Sequence, residues 1–326
     1  MKAAIGIDIG GTNIQVGLTL ELGEVLHQTS LRVVHYQQNQ IFLNVLTDVV
    51  QEFTALSNDL EIIGIGIGSP GANILSGTIQ NASNLPWDNL PIVGHLKTET
   101  ALPVYLTNDA NLFAIAEKVF GQAKEMQDFI SLTLGTGVGA GIYTSGELLT
   151  GRDGLAGEVG HLVYNRGGRP CKCGRNGCLE RYVSASGVVE TTRQLIREAR
   201  LESELIGIPE SYITAEAVAE AAKNDDLLAI RVFEVTGQIL GESLADLTAT
   251  FNPETIFISG GLANANEVLF APLRSSFEKS LLAIYPTEIP VLKSSIPDRN
   301  AGVLGASALV WEQSKIATES TLTAYD

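Results

Sequence analysis

Basic residues are scarce in this chain. Lys and Arg number 21 against 37 Asp and Glu, giving a formal net charge of −16 over 326 residues. A phosphate backbone attracts clustered cations, so this balance disfavours nucleic-acid binding; the same excess of carboxylates repels an anionic bilayer surface. Long apolar runs are missing too. The stretch 62–71 is glycine-rich and well short of the ~20 residues a spanning helix needs, and Asp8 interrupts the apolar start before it reaches the length of a secretory core. Cysteine is rare and odd in number: three residues, all between 171 and 178. A secreted disulfide scaffold spreads an even set along the chain. These absences set the expectation of a cytoplasmic protein with neither membrane nor nucleic-acid partner. What is present, 45% hydrophobic and 18% charged residues, suits a folded globular chain long enough for two domains.

The chain echoes itself. Ile5-Gly6-Ile7-Asp8-Ile9-Gly10-Gly11-Thr12 is followed by a second apolar alternation over 14–20, a turn at 22–24 and a strand-like Val25-Leu26. Ile130-Ser131-Leu132-Thr133-Leu134-Gly135-Thr136-Gly137 is followed in the same way by 139–143, a turn at 145–147 and Leu148-Leu149. A second echo pairs 62–68, ending in Ser69-Pro70-Gly71, with 255–259, ending in Gly260-Gly261. Alternation that turns on glycine and returns reads as strand, turn, strand, and the long period points to a duplicated domain rather than a solenoid. Recurrence of glycine-rich hairpins by chance is the alternative. Helical spacing covers 40–53, 109–120, 187–201, 215–222, 227–250 and 301–311, with Asn252-Pro253 stopping the fifth and a polar tail over 314–326 expected to fray. Strands alternating with helices predict α/β layers on mixed sheets, with a first boundary near Phe120-Gly121.

Three constellations carry chemistry. Asp8, Gly10, Gly11, Thr12 and Asn13 form a glycine turn at a strand end, where backbone N–H groups can approach a phosphate, Thr12 can donate a hydroxyl and Asp8 can hold Mg²⁺. Gly135, Thr136, Gly137 and Gly139 repeat the device, and Gly260-Gly261 supplies a third turn. One such turn has a purely structural explanation; three in a duplicated α/β chain favour a bound nucleotide. The spacing fits neither a Rossmann nor a P-loop motif. Next, His161, Cys171, Cys173 and Cys178 form a Cys₃His set in a loop with glycines at 167, 168, 174 and 177, matching a structural zinc site, with three reduced buried thiols as the alternative. Third, Thr107-Asn108-Asp109 follows an apolar strand. A helix N-cap explains it by itself, but Gly71, Asn84, Glu158 and Glu180 add groups suited to hydroxyls, and a polyol kinase needs a carboxylate beside the attacking hydroxyl.

Together, Asp8-Ile9-Gly10-Gly11-Thr12, Leu134-Gly135-Thr136-Gly137-Val138-Gly139, Glu158-Val159-Gly160-His161 and the run from Cys171 to Glu180 resemble the ROK sugar kinases, over nearly the whole chain. The resemblance is strongest toward the bacterial glucokinases of that family. It implies an actin-like, hexokinase-type (ribonuclease H-like) fold of duplicated α/β domains with an interdomain cleft. The smaller domain would take 1–120, with a C-terminal helix at about 301–316 packed on it, and the larger 121–300, with the metal loop at 158–180. It also implies ATP-dependent phosphorylation of a hexose, most simply glucose, at the 6-hydroxyl. Asp109 is then the base; Gly71, Asn84, Asn108, Glu158, His161 and Glu180 bind the sugar; His161 serves both the zinc and the sugar. Homo-oligomers, dimers or tetramers, are implied as well.

One departure bears on the donor. Many members carry Lys after the Gly-Gly-Thr turn, where this chain has Asn13, which leaves polyphosphate or another nucleotide open beside ATP. N-acetylglucosamine, N-acetylmannosamine, mannose and fructose kinases share the motifs. The family's sugar-sensing repressors carry a helix-turn-helix segment ahead of this part, for which the strand expected from Ala3 leaves no room here.

Overall fold

The computed structural model describes residues 1–323 apart from 58, 81, 83, 199–200, 286–287 and 298–299. The first half opens with strands β1 (Lys2–Ile9), β2 (Asn13–Leu20) and β3 (Val25–Arg32), then helix α1 (Asn39–Leu56), β4 (Glu61–Gly68), the short pair β5 (Ala72–Asn73) and β6 (Thr78–Ile79), α2 (Ile92–Thr100), β7 (Val104–Thr107) and α3 (Asp109–Val119). The second half has β8 (Phe129–Leu134), β9 (Val138–Thr144), β10 (Glu147–Leu148), α4 (Glu180–Val183), α5 (Ala185–Glu198), α6 (Ala215–Lys223), α7 (Leu227–Phe251), β11 (Thr255–Ser259), α8 (Glu267–Ser280) and β12 (Val291–Lys293), and the chain closes on α9 (Ala301–Thr323).

The echo in the sequence is an echo in topology. One five-stranded sheet runs β3-β2-β1-β4-β7 and the other β10-β9-β8-β11-β12. In the first, β1 pairs antiparallel with β2 and parallel with β4, which pairs parallel with β7. In the second, β8 pairs antiparallel with β9 and parallel with β11, which pairs parallel with β12. This is the duplicated α/β architecture of the actin-like, hexokinase-type fold.

The chain divides into two compact units: Met1–Met126 with Leu148–Ala156 and Ser294–Asp326, and Gln127–Glu147 with Gly157–Lys293. Residues 121–126, 148–156 and 294–300 therefore lie with the first unit, not with the larger domain to which the sequence boundary gave them. The cause is partly visible at Glu117, which is fully buried on α3. Its carboxylate accepts from the Gln122 N–H at 2.9 Å, from the Ser295 N–H at 3.1 Å and from the Ser294 hydroxyl, tying both flanking segments to that helix.

Strand alternation places the core of the first unit. Ala3, Ile5 and Ile7 of β1 join Phe42, Leu46 and Val50 of α1 in one buried cluster. The other face is lined by small residues: Ala4 packs with Val310 and Trp311 of α9, and a Cβ at Gly6 or Gly66 would strike the backbone carbonyls of Val303 and Ala306. Glycine is required there because the α9 backbone itself lies against the sheet. In the second unit α7 meets α8 at Gly237 and Gly241, where a Cβ would meet the Leu273 and Phe277 backbone.

Three of the labelled helices were not anticipated, α2, α4 and α8, nor were the short strands β5, β6 and β12. Helix α8 carries Pro272 and follows Asn266 at φ 52°, both ordinary breaker signals, and packing against the α7 glycines prevails over them. The helix expected over 187–201 runs Ala185–Glu198, with 199–200 outside the described residues. The tail expected to fray from Ser314 is helical to Thr323; it contains no Gly or Pro, so nothing local ends the helix. Residues 324–326 lie outside the described residues. No described helix is long and apolar enough to cross a membrane.

Candidate functional site

In the first unit, the register of β1, β4 and β7 brings three turns to one edge of the sheet. Asp8 pairs with Gly68, and Gly68 pairs with Thr107, so Asp8, the Ser69-Pro70-Gly71 turn and Asn108-Asp109 all follow the carboxyl ends of parallel strands. That end of an open α/β sheet is where ligands bind. The Gly10-Gly11 turn is closed by the Gly10 N–H donating to the Asn13 carbonyl at 2.9 Å. A Cβ at Gly11 would lie 2.9 Å from Asn84 Nδ2, so Asn84 rests directly on this turn. Thr12 and Asn13 are exposed beside it. Gly71 has φ +68°, and a Cβ there would strike the Gln80 carbonyl, so its glycine is demanded by the turn.

Asn108 does cap α3: its Oδ1 accepts from the Ala110 N–H at 2.9 Å. The cap and a ligand role are compatible, since the cap occupies only the amide oxygen. Asp109 Oδ1 accepts from the same N–H at 3.0 Å, which aims its carboxylate along the first turn of the helix. Asp8 is half-buried; burial first, and then the charge of Asp109, push its carboxyl up to about 6. A carboxylate so disfavoured next to a second one is suited to a cation, which relieves both causes.

That shift has a measurable consequence. The folded carboxyl holds its proton up to about pH 6, whereas an unfolded Asp releases it near 3.8. Between those values the native state binds more protons, so in Mg²⁺-free protein this group costs stability as pH rises from 4 to 6, the penalty then staying constant. Asp8→Asn is expected to melt with the wild type at pH 4 and to be more stable at pH 7.5, by up to ~3 kcal/mol. Added Mg²⁺ should raise the wild-type melting temperature and leave the variant's unmoved. Parallel melting curves across the pH range would count against the assignment.

In the second unit, Ser259 pairs with Thr133, and their hydroxyls lie 3.0 Å apart. The turn 135–139 and Gly260-Gly261 thus leave adjacent strand ends. Gly260 has φ +86°, and a Cβ there would meet the Leu134 carbonyl. Glu180, at the start of α4, reaches the first of these turns, where its Oε2 accepts from the Val138 N–H at 3.1 Å.

The Cys₃His loop folds as one cluster. One donor atom from each of His161, Cys171, Cys173 and Cys178 falls within 4.8 Å of all the others. Cys173 Sγ and Cys178 Sγ are 3.6 Å apart, and no cysteine is in a disulfide. A tetrahedral ion with Zn–S bonds of ~2.3 Å has S–S edges of about 3.8 Å, and the Cys173–Cys178 and His161–Cys171 separations of 3.6 and 3.7 Å are close to that. Burial and the neighbouring thiols push Cys178 up to about 12, and a divalent cation would reverse that by binding the thiolate. His161 divides its ring: Nδ1 is 3.7 Å from Cys171 Sγ, while Nε2 faces the Glu158 carboxylate at 4.0 Å.

Comparison with known proteins fits this geometry. The family model described as "ROK family" matches residues 4–313. The chain belongs to the ROK family. Among curated ROK relatives, it is 34% identical over 313 residues to a glucokinase of Thermotoga maritima, covering 95% of this chain and 97% of that one. It is also 32% identical over 311 residues to a xylose repressor of Caldicellulosiruptor bescii, covering 94% of this chain and 77% of that one. Among solved structures, a ROK glucokinase from Streptomyces griseus in complex with glucose and AMPPNP superposes with a TM-score of 0.77 at 30% identity, covering 94% and 98% of the two chains.

Arg169 of the Cys₃His loop and Tyr182 of α4 carry work that the motif does not announce. The Arg169 guanidinium lies 4.7 Å from the centre of the Tyr182 ring and donates to the Arg181 carbonyl at 2.9 Å and to Thr191 Oγ1 at 3.1 Å. The Tyr182 hydroxyl in turn accepts from the Arg169 N–H at 3.0 Å. This clamp joins the loop to α4 and α5. Its only sequence signal is a lone Arg between a glycine pair and Pro170.

Proposed function

We propose that this ROK protein transfers the γ-phosphoryl group of ATP to the 6-hydroxyl of a hexose, glucose being the expected sugar. The observation that carries the reading is the pair Asp8 and Asp109, at the carboxyl ends of β1 and β7, the two strands that flank β4, charged groups close enough that one shifts the ionisation of the other. Asp109 takes the proton of the sugar hydroxyl; the freed oxygen pair forms the bond to the γ-phosphorus; the bridging P–O bond breaks, and ADP leaves with its electrons. Asp8 would hold Mg²⁺, directly or through water, which neutralises phosphate charge. The backbone N–H groups of Gly10, Gly11, Thr12, Gly135, Thr136, Gly137, Gly139, Gly260 and Gly261, with the Thr12 and Thr136 hydroxyls and the Asn13 amide, are assigned to the phosphates.

Gly71, Asn84, Asn108, Glu158, His161 and Glu180 are assigned to the sugar. His161 would hold zinc through Nδ1, which would leave the proton on Nε2 to be donated to a sugar hydroxyl and so fix the tautomer and aim of the ring. All four donors come from the protein, which leaves the ion structural.

The test is a coupled ADP-release assay over glucose, mannose, fructose, N-acetylglucosamine and N-acetylmannosamine, with ATP and polyphosphate as donors. Fastest kcat/KM with glucose and ATP is expected. A preference for an N-acetylated sugar would move the specificity; sugar binding without any turnover would favour the sensing role carried by the repressor relatives.

A further inference from the structure

Glu180 stands where two parts of the second unit meet. It follows Cys178 by two positions, so the metal loop sets where α4 begins. The loop holds that start through the Leu179 N–H donating to the Leu162 carbonyl at 2.8 Å and the Arg181 N–H donating to the Cys178 carbonyl at 3.0 Å. From there the Glu180 carboxylate reaches away from the loop to the glycine turn 135–139, where Oε2 accepts from the Val138 N–H. A Cβ at Gly137 would strike that same oxygen, so the glycine is what admits the carboxylate. The other end of the turn is held from the same stretch of chain, the Ala185 N–H donating to the Gly135 carbonyl at 2.9 Å. The turn is thus suspended from residues 180 and 185, and those hang from the metal loop.

We infer that Glu180, besides its sugar contact, is the positioning residue of the phosphate turn, and that through it the sugar and the metal loop act on donor affinity. The inference rests on reading 135–139 as a phosphate turn. A carboxylate has two oxygens; Oε2 is committed to Val138, which leaves Oε1 for a sugar hydroxyl. A hydroxyl on Oε1 restricts the rotamers of the side chain whose other oxygen holds the turn. Ordering achieved by one ligand then need not be repeated for the other, and such coupling is reciprocal.

The experiment is calorimetric titration of the full chain, without sugar, with AMPPNP and Mg²⁺, comparing wild type, Glu180→Ala, Glu180→Gln and Thr136→Ala, with metal content and melting curves recorded for each. Glu180→Ala should weaken AMPPNP roughly tenfold, as expected for losing the acceptor that holds the turn. Glu180→Gln keeps an amide oxygen for Val138, so it should stay within about twofold of wild type, while both variants lose glucose affinity in separate titrations. Glucose should tighten AMPPNP binding to the wild type and not to Glu180→Ala. Unchanged AMPPNP affinity in Glu180→Ala would overturn the inference, as would Glu180→Gln failing as badly as Ala with metal content and melting intact. Thr136→Ala touches neither Glu180 nor Val138 and should weaken AMPPNP severalfold. If it does not, the phosphate reading of the turn is what has failed, and the inference falls with it.

Discussion

Asp109→Asn should lower sugar-dependent ADP release by ~10²–10⁴-fold, the contribution of a positioned general base, with fold and metal content intact. The substitution is nearly isosteric. The hydrogen bond that its side chain accepts from the Ala110 N–H can go to an amide oxygen as well as to a carboxylate, and Asn108 accepts from the same N–H. Helix α3 therefore keeps its start. What disappears is proton affinity at the reacting hydroxyl. Burial, the larger cause of the raised Asp8 carboxyl, stays, but the Asp109 charge that adds to it disappears, so Asp8 should titrate somewhat closer to its ordinary range in the variant. Turnover near wild type would remove Asp109 from its role. Loss of turnover together with loss of the melting transition would show only that the residue is structural.

Cys173→Ser should release the metal and raise the KM for the sugar by tenfold or more, with a smaller effect on kcat. Cys173 is exposed, unlike Cys171 and Cys178, so serine there buries no new polar group. Its thiol nevertheless supplies one of the four donors in the cluster. With three donors left, zinc is held far more weakly, and the His161 ring loses the bond that fixes which nitrogen carries its proton. Losing a directed hydrogen bond to a polar ligand is worth about a factor of ten or more. Atomic absorption on the purified variant and sugar titration on the same sample give the comparison. A metal-free protein with wild-type sugar affinity would break the link between ion and pocket.

How much of this was legible in the sequence differs from element to element. The duplicated strands were legible because glycine turns and two-residue alternation are local, and both halves repeat them; the two sheets have the same order. Asn252, the breaker expected to stop the longest helix, does so in the left-handed conformation, its N–H donating to the Thr248 carbonyl. Helix α8 was not legible, because what stabilises it lies on α7, in the glycines at 237 and 241, and no spacing within 267–280 reports that. The Cys₃His cluster was legible as composition, since every cysteine lies in one loop. That His161 serves both a zinc ion and the sugar is implied only by the family resemblance; what the structure adds is that its two ring nitrogens face Cys171 and Glu158. Least legible was Glu180 on Val138, a contact across 42 positions between two motifs that each read as complete. The unit boundary was displaced for a similar reason: Glu117 draws in chain from position 122 and from 294–295, and a buried carboxylate in a helix advertises neither partner.

The claim on which the rest depends is that this ROK chain moves a phosphoryl group to a sugar rather than only binding one. Incubating the purified protein with glucose, ATP and Mg²⁺ and following products by phosphorus NMR tests it most directly. The account predicts one hexose 6-phosphate formed for each ADP, with no ADP when glucose is withheld. Glucose and ATP both bound, with no phosphorylated sugar appearing, would contradict it.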